Sequence, residues 1–240
     1  MNIPPSRLLA DGPVLVFGGP YSNLEATHAV LAEARQRGIP PRRIVCTGDV
    51  VAYCADAAAT VDLVAASGIR VVMGNCEESL GFDSDDCGCG FDADTACDAL
   101  AAMWYRHARQ SIGPAHRAWM RGLPRRIDLQ IAERRLAVIH GSVSSINRFV
   151  FASTPADEKR AEIEASGCDG VIAGHSGLPF TQTIDGRLWH NAGAIGMPAN
   201  DGTPRGWFSV LSSSGDGLRI DHCPLAYDHE TAAAKMRTLG

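Results

Sequence analysis

Apolar residues come in short runs that end on glycine, and stretches with helical spacing fill the gaps between them. Val14-Leu15-Val16-Phe17 is wholly apolar and runs into Gly18-Gly19, the pattern of a buried strand breaking into a turn. Over residues 23–37, Leu24, Ala26, Val30, Leu31 and Ala34 recur at helical spacing. Ser22 or Asn23 supplies an N-cap there, and Gly38 a stop. Arg43-Ile44-Val45-Cys46 predicts a second strand, broken at Thr47-Gly48-Asp49. A helix follows over residues 57–66, and Ile69-Arg70-Val71-Val72-Met73 predicts a third strand ending at Gly74. Strands alternating with helices through short links imply right-handed crossovers and a parallel sheet.

The rhythm then changes. Residues 77–95 are rich in Gly and Asp, contain Cys87-Gly88-Cys89, and read as a long surface loop, a length that in a compact domain is usually functional or mobile. Helical spacing returns over 96–110 and 115–121. Residues 126–131 alternate, and 135–139 follow after a tight turn at Glu133-Arg134, a hairpin signal. Residues 155–165 read as a helix with Pro155 at its first position. Gly170-Val171-Ile172-Ala173 is a strand into Gly174-His175. Alternating runs over 180–184, 187–190, 207–211 and 218–223 precede a closing helix over 228–239. The sum is two packed sheets with helices outside, an α/β sandwich forming a single domain over residues 1–240, with no linker-like composition and no internal repeat.

Composition narrows the classes. The 240 residues carry a formal charge of −5, and the basic residues form no block beyond pairs such as Arg42-Arg43, Arg125-Arg126 and Arg134-Arg135. No nucleic-acid partner is expected, since that needs a concentrated basic face. No apolar run approaches the roughly 18 residues of a spanning helix, and the N-terminus has no charged-then-apolar leader. No membrane association and a cytoplasmic location are therefore expected. The eight cysteines are scattered. They read as residues of a reducing compartment rather than a disulfide framework, with Cys46, Cys168 and Cys223 as small structural residues.

Candidate chemistry lies in four short segments, each just past a strand: Gly48-Asp49-Val50-Val51, Gly74-Asn75-Cys76-Glu77, His140-Gly141-Ser142 and Gly174-His175-Ser176-Gly177. Ligands gather at the carboxyl ends of strands in sheets of this kind. Asp49, Asn75, His140 and His175 form a hard-to-borderline donor set, suited to a divalent transition ion such as Mn²⁺, Fe²⁺ or Zn²⁺. A fifth segment just past a strand, Gly18-Gly19-Pro20-Tyr21-Ser22-Asn23, offers neither carboxylate nor imidazole.

The order Gly-Asp, Gly-Asn-Cys-Glu, His-Gly-Ser, Gly-His-x-x-x-Pro resembles the calcineurin-like metallophosphoesterases, and most their small bacterial and archaeal phosphodiesterase branch. Asn23-Leu24-Glu25-Ala26, Gly48-Asp49-Val50-Val51-Ala52-Tyr53 and Asn191-Ala192-Gly193-Ala194-Ile195-Gly196-Met197-Pro198 resemble further motifs of that family, so the likeness runs from about Val14 to the C-terminal helix. It implies a four-layer α/β/β/α sandwich of two packed mixed sheets. It also implies a bridging ligand at Asp49 and second-metal ligands at Asn75, His140 and His175. The first-metal positions fall on Gly19, Tyr21 and Gly177, so three ligands of one ion are replaced while those of the other are kept. One ion (Mn, Fe, Zn or Ni) is therefore expected, and a second is left open. Tyr21 either packs over the vacated position or coordinates as phenolate. Cys54 is a further candidate for a rebuilt ligand, and the Cys87-Gly88-Cys89 loop is either a solvated acidic loop or a metal-bearing one.

Asn75 and His140 are expected in the catalytic set. Cys76 stands where many relatives have a leaving-group histidine, and either acts as a weak acid or packs. Asn23 and Asn75 are the candidate phosphate contacts. The implied function is metal-dependent hydrolysis of a small phosphomonoester or phosphodiester by activated water. The alternative is an impaired relative that binds one ion and a phosphorylated ligand for sensing or partner binding. The sequence gives no sign of oligomeric state.

Overall fold

The structure, a computed structural model, describes residues 6–91, 94–215 and 217–238. The N-terminal residues 1–5, residues 92–93 of the expected loop, residue 216, and residues 239–240 at the end of the expected last helix lie outside the described residues.

Strand β1 (Ser6–Leu9) leads through β2 (Val14–Phe17), α1 (Leu24–Gln36), β3 (Ile44–Cys46), α2 (Ala57–Ser67) and β4 (Arg70–Val71) into α3 (Asn75–Gly81). Helices α4 (Ala96–Ser111) and α5 (Pro114–Arg121) follow, then the hairpin β5 (Ile127–Ile131) and β6 (Arg134–Val138), and α6 (Ala156–Ser166). The chain closes with β7 (Gly170–Ala173), β8 (Phe180–Ile184), β9 (Arg187–Asn191), β10 (Gly206–Ser214), β11 (Gly217–Leu225) and α7 (His229–Thr238). One sheet runs β1-β5-β6-β7-β9-β8 and the other β11-β10-β2-β3-β4. Both are mixed: β2, β3 and β4 are parallel, as are β6, β7 and β9, while β10 and β5 join antiparallel.

Period-two alternation builds the layers. Val14 and Val16 of β2 face the other sheet and join Leu129, Leu136, Val138 and Ile172 in one apolar layer. Leu15 and Phe17 point the opposite way, to Val30 and Leu31 of α1 and Val61 and Val64 of α2. On the far side, Ala137, Ile139, Val171 and Trp189 pack against Ile163 of α6. Helices, sheet, sheet and helix thus make the four layers, each buried Val, Leu or Ile contributing about 1.5–3 kcal/mol.

Four local expectations are corrected. Strand β1 was not foreseen, because only Leu8 of its four residues is buried and its support is the parallel ladder to β5. The expected strand over 69–73 keeps a ladder only at Arg70 and Val71. Within the expected loop over 77–95, residues up to Gly81 are helical, because the Glu77 carboxylate accepts the free Gly74 N–H (3.0 Å) at the start of α3. Pro155 stands one place earlier than expected, as the N-cap of α6.

Candidate metal centre

Register carries four side chains to one edge. Cys46 of β3 lies beside Val71 of β4, so the turns holding Asp49 and Asn75 emerge together. Val138 of β6 lies beside Ile172 of β7, and His140 O accepts Gly174 N (2.6 Å), which brings His140 and His175 side by side. Each sheet therefore supplies two of the four groups, and the centre sits where the sheets meet. Asp49 (φ 55°) and His175 (φ 57°) are in the left-handed region, which non-glycine residues enter at a cost of about 1–2 kcal/mol. Glu77 holds the first of these turns: its fully buried carboxylate accepts Asp49 N (2.8 Å), Gly74 N (3.0 Å) and Val51 N (3.2 Å).

Thr47 O lies 2.6 Å from His140 Nδ1. A carbonyl only accepts, so Nδ1 carries the proton and neutral His140 presents a lone pair at Nε2. That Nε2 faces Asn75 Oδ1 (3.0 Å), His175 Nδ1 (3.2 Å) and Asp49 Oδ2 (3.2 Å). Ligand atoms of Asp49, His140 and His175 all lie within 4.8 Å of one another. Four lone-pair atoms facing a common centre are mutually repulsive: a proton relieves one contact, whereas a cation relieves all. Nitrogen and oxygen donors in this mix suit a borderline divalent ion. His175 Nε2 is also buried, with no hydrogen-bond partner among the described residues.

Without the ion, burial opposes charge on both Asp49 and His140, but their mutual attraction prevails. It holds the Asp49 carboxyl below its ordinary range and the His140 imidazole above its own. Burial, and then the His140 charge, push His175 down to about 4, so His175 is neutral and ready to donate. Burial and the Asp49 charge push Glu77 up to about 7.

The expected first-metal position looks different. The Tyr21 ring occupies it: a Cβ on Gly19 would lie 2.6 Å from both Cε atoms of that ring, and one on Gly177 would lie 3.4 Å from its hydroxyl. Tyr53 packs edge-on against Tyr21 (centroids 4.9 Å apart), and Trp104 against Tyr53 (5.4 Å). Burial and the Asp49 charge raise the Tyr21 phenol well above its ordinary value, so in the ion-free protein the ring is neutral and fills the position.

Other candidates fare variously. The Cys54 thiol lies 3.6 Å from Gly196 O and 4.0 Å from Met197 Sδ, and burial pushes it up to about 12. It is therefore turned toward the 196–197 loop rather than toward the ligand cluster. The Asn23 side chain is buried and committed at both ends, accepting Ala26 N (3.0 Å) and donating to Gly196 O (3.0 Å). It caps α1 and ties the start of that helix to Gly196. Cys76 is buried beside Asp49, its N–H donating to Asp49 Oδ1 (3.3 Å), and burial raises its thiol well above the ordinary value. A thiol this hard to ionise is a poor proton donor.

Cys87 and Cys89 form a disulfide, which the reading of the cysteines did not anticipate. Both are buried, so this part of the acidic loop is neither solvated nor a source of free thiolates. Phe149 lies against His175 with ring centroids 4.1 Å apart, and Phe91 stacks on Phe149 at 5.8 Å. Sequence reasoning missed Glu77 and Thr47. Glu77 had one available signal, a carboxylate three residues after the glycine that opens α3. Thr47 acts through its main-chain carbonyl, which no residue identity reveals.

Residues 21–213 match the model of the calcineurin-like phosphoesterase superfamily domain. The chain belongs to that superfamily. Its membership makes it a phosphoesterase by class, a hydrolase of phosphate ester bonds. An uncharacterized protein of Methanocaldococcus jannaschii is 27% identical, over 93% of this chain and 91% of its own. Among solved structures, a metallophosphoesterase from Sphaerobacter thermophilus superposes with a TM-score of 0.73 at 22% identity, covering 94% of this chain and 93% of that one. A hypothetical protein from Pyrococcus horikoshii gives 0.72 at 15% identity, covering 94% and 92%. Both share the four-layer fold. Among the described residues no helix is long and apolar enough to cross a membrane.

Proposed function

We propose that this phosphoesterase works from one metal position, holding a divalent transition ion on Asp49, His140 and His175 with the Asn75 amide oxygen beside them, and hydrolyses a small phosphorylated substrate. The observation that carries this reading is the convergence of Asn75 Oδ1, His175 Nδ1 and Asp49 Oδ2 on His140 Nε2 within 3.0–3.2 Å. When bound, such an ion supplies Lewis-acid polarisation of a phosphoryl oxygen and a lowered pKa for water. The chain supplies the rest. Thr47 O fixes the His140 tautomer, Glu77 fixes the Asp49 turn, and the Tyr21–Tyr53–Trp104 stack closes the position of a second ion. A neutral Tyr21 phenol is also compatible with an anionic phosphate, where a phenolate would repel it. The expected setting is cytoplasmic.

The replacement of three ligand positions by Gly19, Tyr21 and Gly177 supports a second reading, in which the protein holds one ion and a phosphorylated ligand without turning it over. Chelator-stripped protein reloaded with Mn²⁺, Ni²⁺, Fe²⁺ or Zn²⁺ and assayed on p-nitrophenyl phosphate and its bis ester separates the two. Turnover that requires reloading and vanishes in His175→Ala is expected. Metal-loaded protein that binds phosphate yet turns over neither ester would replace the first reading with the second.

A further inference from the structure

The Cys87–Cys89 disulfide lies directly behind Asn75 of the metal centre. Asn75 Nδ2 donates to Cys87 O (3.0 Å) and lies 3.7 Å from Cys89 Sγ. The opposite end of the same amide is the oxygen that faces His140 Nε2. The amide is thus held from behind by the cystine turn and aimed forward at the ligand cluster. Two further contacts fix that turn. Asn147, on the loop that follows His140, donates to Gly88 O (3.0 Å), and a Cβ added at Gly88 would meet Ser79 Oγ at 3.0 Å. A cavity of about 440 Å³ lined by Asp85, Asp86, Cys87, Asp98, Tyr105 and Arg106 reaches the first cysteine from outside. A small reductant would approach the otherwise buried pair from this side.

We propose that the Cys87–Cys89 disulfide is a positioning element of the metal centre, holding Asn75 with its Oδ1 toward His140, so that the grip on the ion depends on the redox state of this pair. The inference rests on the metal reading above. A dithiol reductant opens the pair by giving two electrons and two protons: the S–S bond breaks, Cys87 and Cys89 become thiols, and the reductant closes to its own disulfide. The turn then loses its covalent tie, and Asn75 loses its fixed orientation. Partners that orient a metal ligand from behind are worth roughly ten- to hundredfold in metal affinity.

The test is Mn²⁺ titration calorimetry on stripped, full-length protein, oxidised or treated with a water-soluble phosphine. The phosphine supplies the electron pair, and water supplies the two thiol protons and the oxygen of the phosphine oxide. A phosphine avoids the metal chelation of dithiols, and no other disulfide occurs among the described residues. Mn²⁺ affinity should fall roughly ten- to hundredfold on reduction. Cys87→Ser/Cys89→Ser should match the reduced form and ignore phosphine. In Asn75→Ala, binding should be weak and indifferent to redox state, an outcome that general loosening of the loop would not produce. If the double serine variant fails to fold, Asn147→Ala weakens the same turn with the disulfide intact and should lower affinity by a smaller factor. Equal Mn²⁺ affinity in both redox states overturns the proposal. So does tighter binding after reduction with a near-ultraviolet sulfur-to-metal band on Co²⁺, because a sulfur would then be a ligand. Failure of both forms to bind Mn²⁺ overturns the metal reading itself, a result distinct from loss of the redox effect.

Discussion

The two halves of this site occupy the same sheet edge and have opposite contents. On one side, Asp49, Asn75, His140 and His175 point lone pairs at one another from turns held by Glu77 and Thr47. On the other, Gly19 and Gly177 flank the ring of Tyr21, which fills the space their side chains would take. The replacements are sterically linked. A side chain at 19 meets the Tyr21 ring where it now lies, so an aspartate there and a tyrosine at 21 coexist only at a cost in strain. Loss of one position while the other keeps every ligand is what a rebuilt single-ion site requires, and unselective decay has no reason to respect that boundary.

The strongest way to break the comparison is to empty the kept half. His140→Ala removes the nitrogen on which the other three groups converge, and leaves Thr47 O and Asp49 without their buried partner. Metal affinity should drop more than about a hundredfold, since even partners behind a ligand are worth about 10- to 100-fold. Competition against a fluorescent chelator reads this directly, and near-normal binding in a folded variant would move the ion elsewhere.

The filled half should resist refilling. Gly19→Asp puts a Cβ into the Tyr21 ring at a left-handed position (φ 42°), and overpacking of this kind costs about 1–3 kcal/mol. Denaturant melts should show that loss, with metal affinity at the kept half unchanged. A substitution that is neutral for stability would mean that Tyr21 swings aside freely, and that the first position is open after all.

A smaller effect concerns protons in the ion-free state. His140 and Glu77, the latter at about 7, have pKa values raised by folding, so both bind protons more tightly folded than unfolded. Their stabilisation is complete below the unfolded values and is lost as pH rises through the folded ones. His175, lowered to about 4, and His190, lowered to about 3, act in the opposite sense, but only below the ordinary histidine value of 6.5. From about pH 6.5 upward, the melting temperature of chelator-treated protein should therefore fall. With Mn²⁺ present the trend should reverse, because the ion competes with the proton on His140. A chelated melting temperature that rises through this range would contradict the pairing of Asp49 with His140.

The framework was legible in the sequence because its signals are local. Short apolar runs such as Val14–Phe17 predicted strands, and glycines after them marked the turns in which Asp49 and His175 stand. The failures lie where one contact outweighs local preference. Short α3 depends on the Glu77 carboxylate, β1 on a ladder to a strand more than a hundred residues away, and the commitment of Asn23 on Gly196 O. The Cys87-Gly88-Cys89 turn reads as solvent-facing from its acidic neighbours. It is turned inward by Asn75 and Asn147, whose contacts with it no spacing rule predicts.

The central claim is one ion held by one intact half-site, and counting the metal tests it most directly. Protein stripped, reloaded with excess Mn²⁺, desalted and analysed by elemental mass spectrometry should hold one equivalent per chain. Anomalous scattering should place that ion among Asp49, His140 and His175. Two equivalents, with the second ion beside Tyr21, would contradict the account.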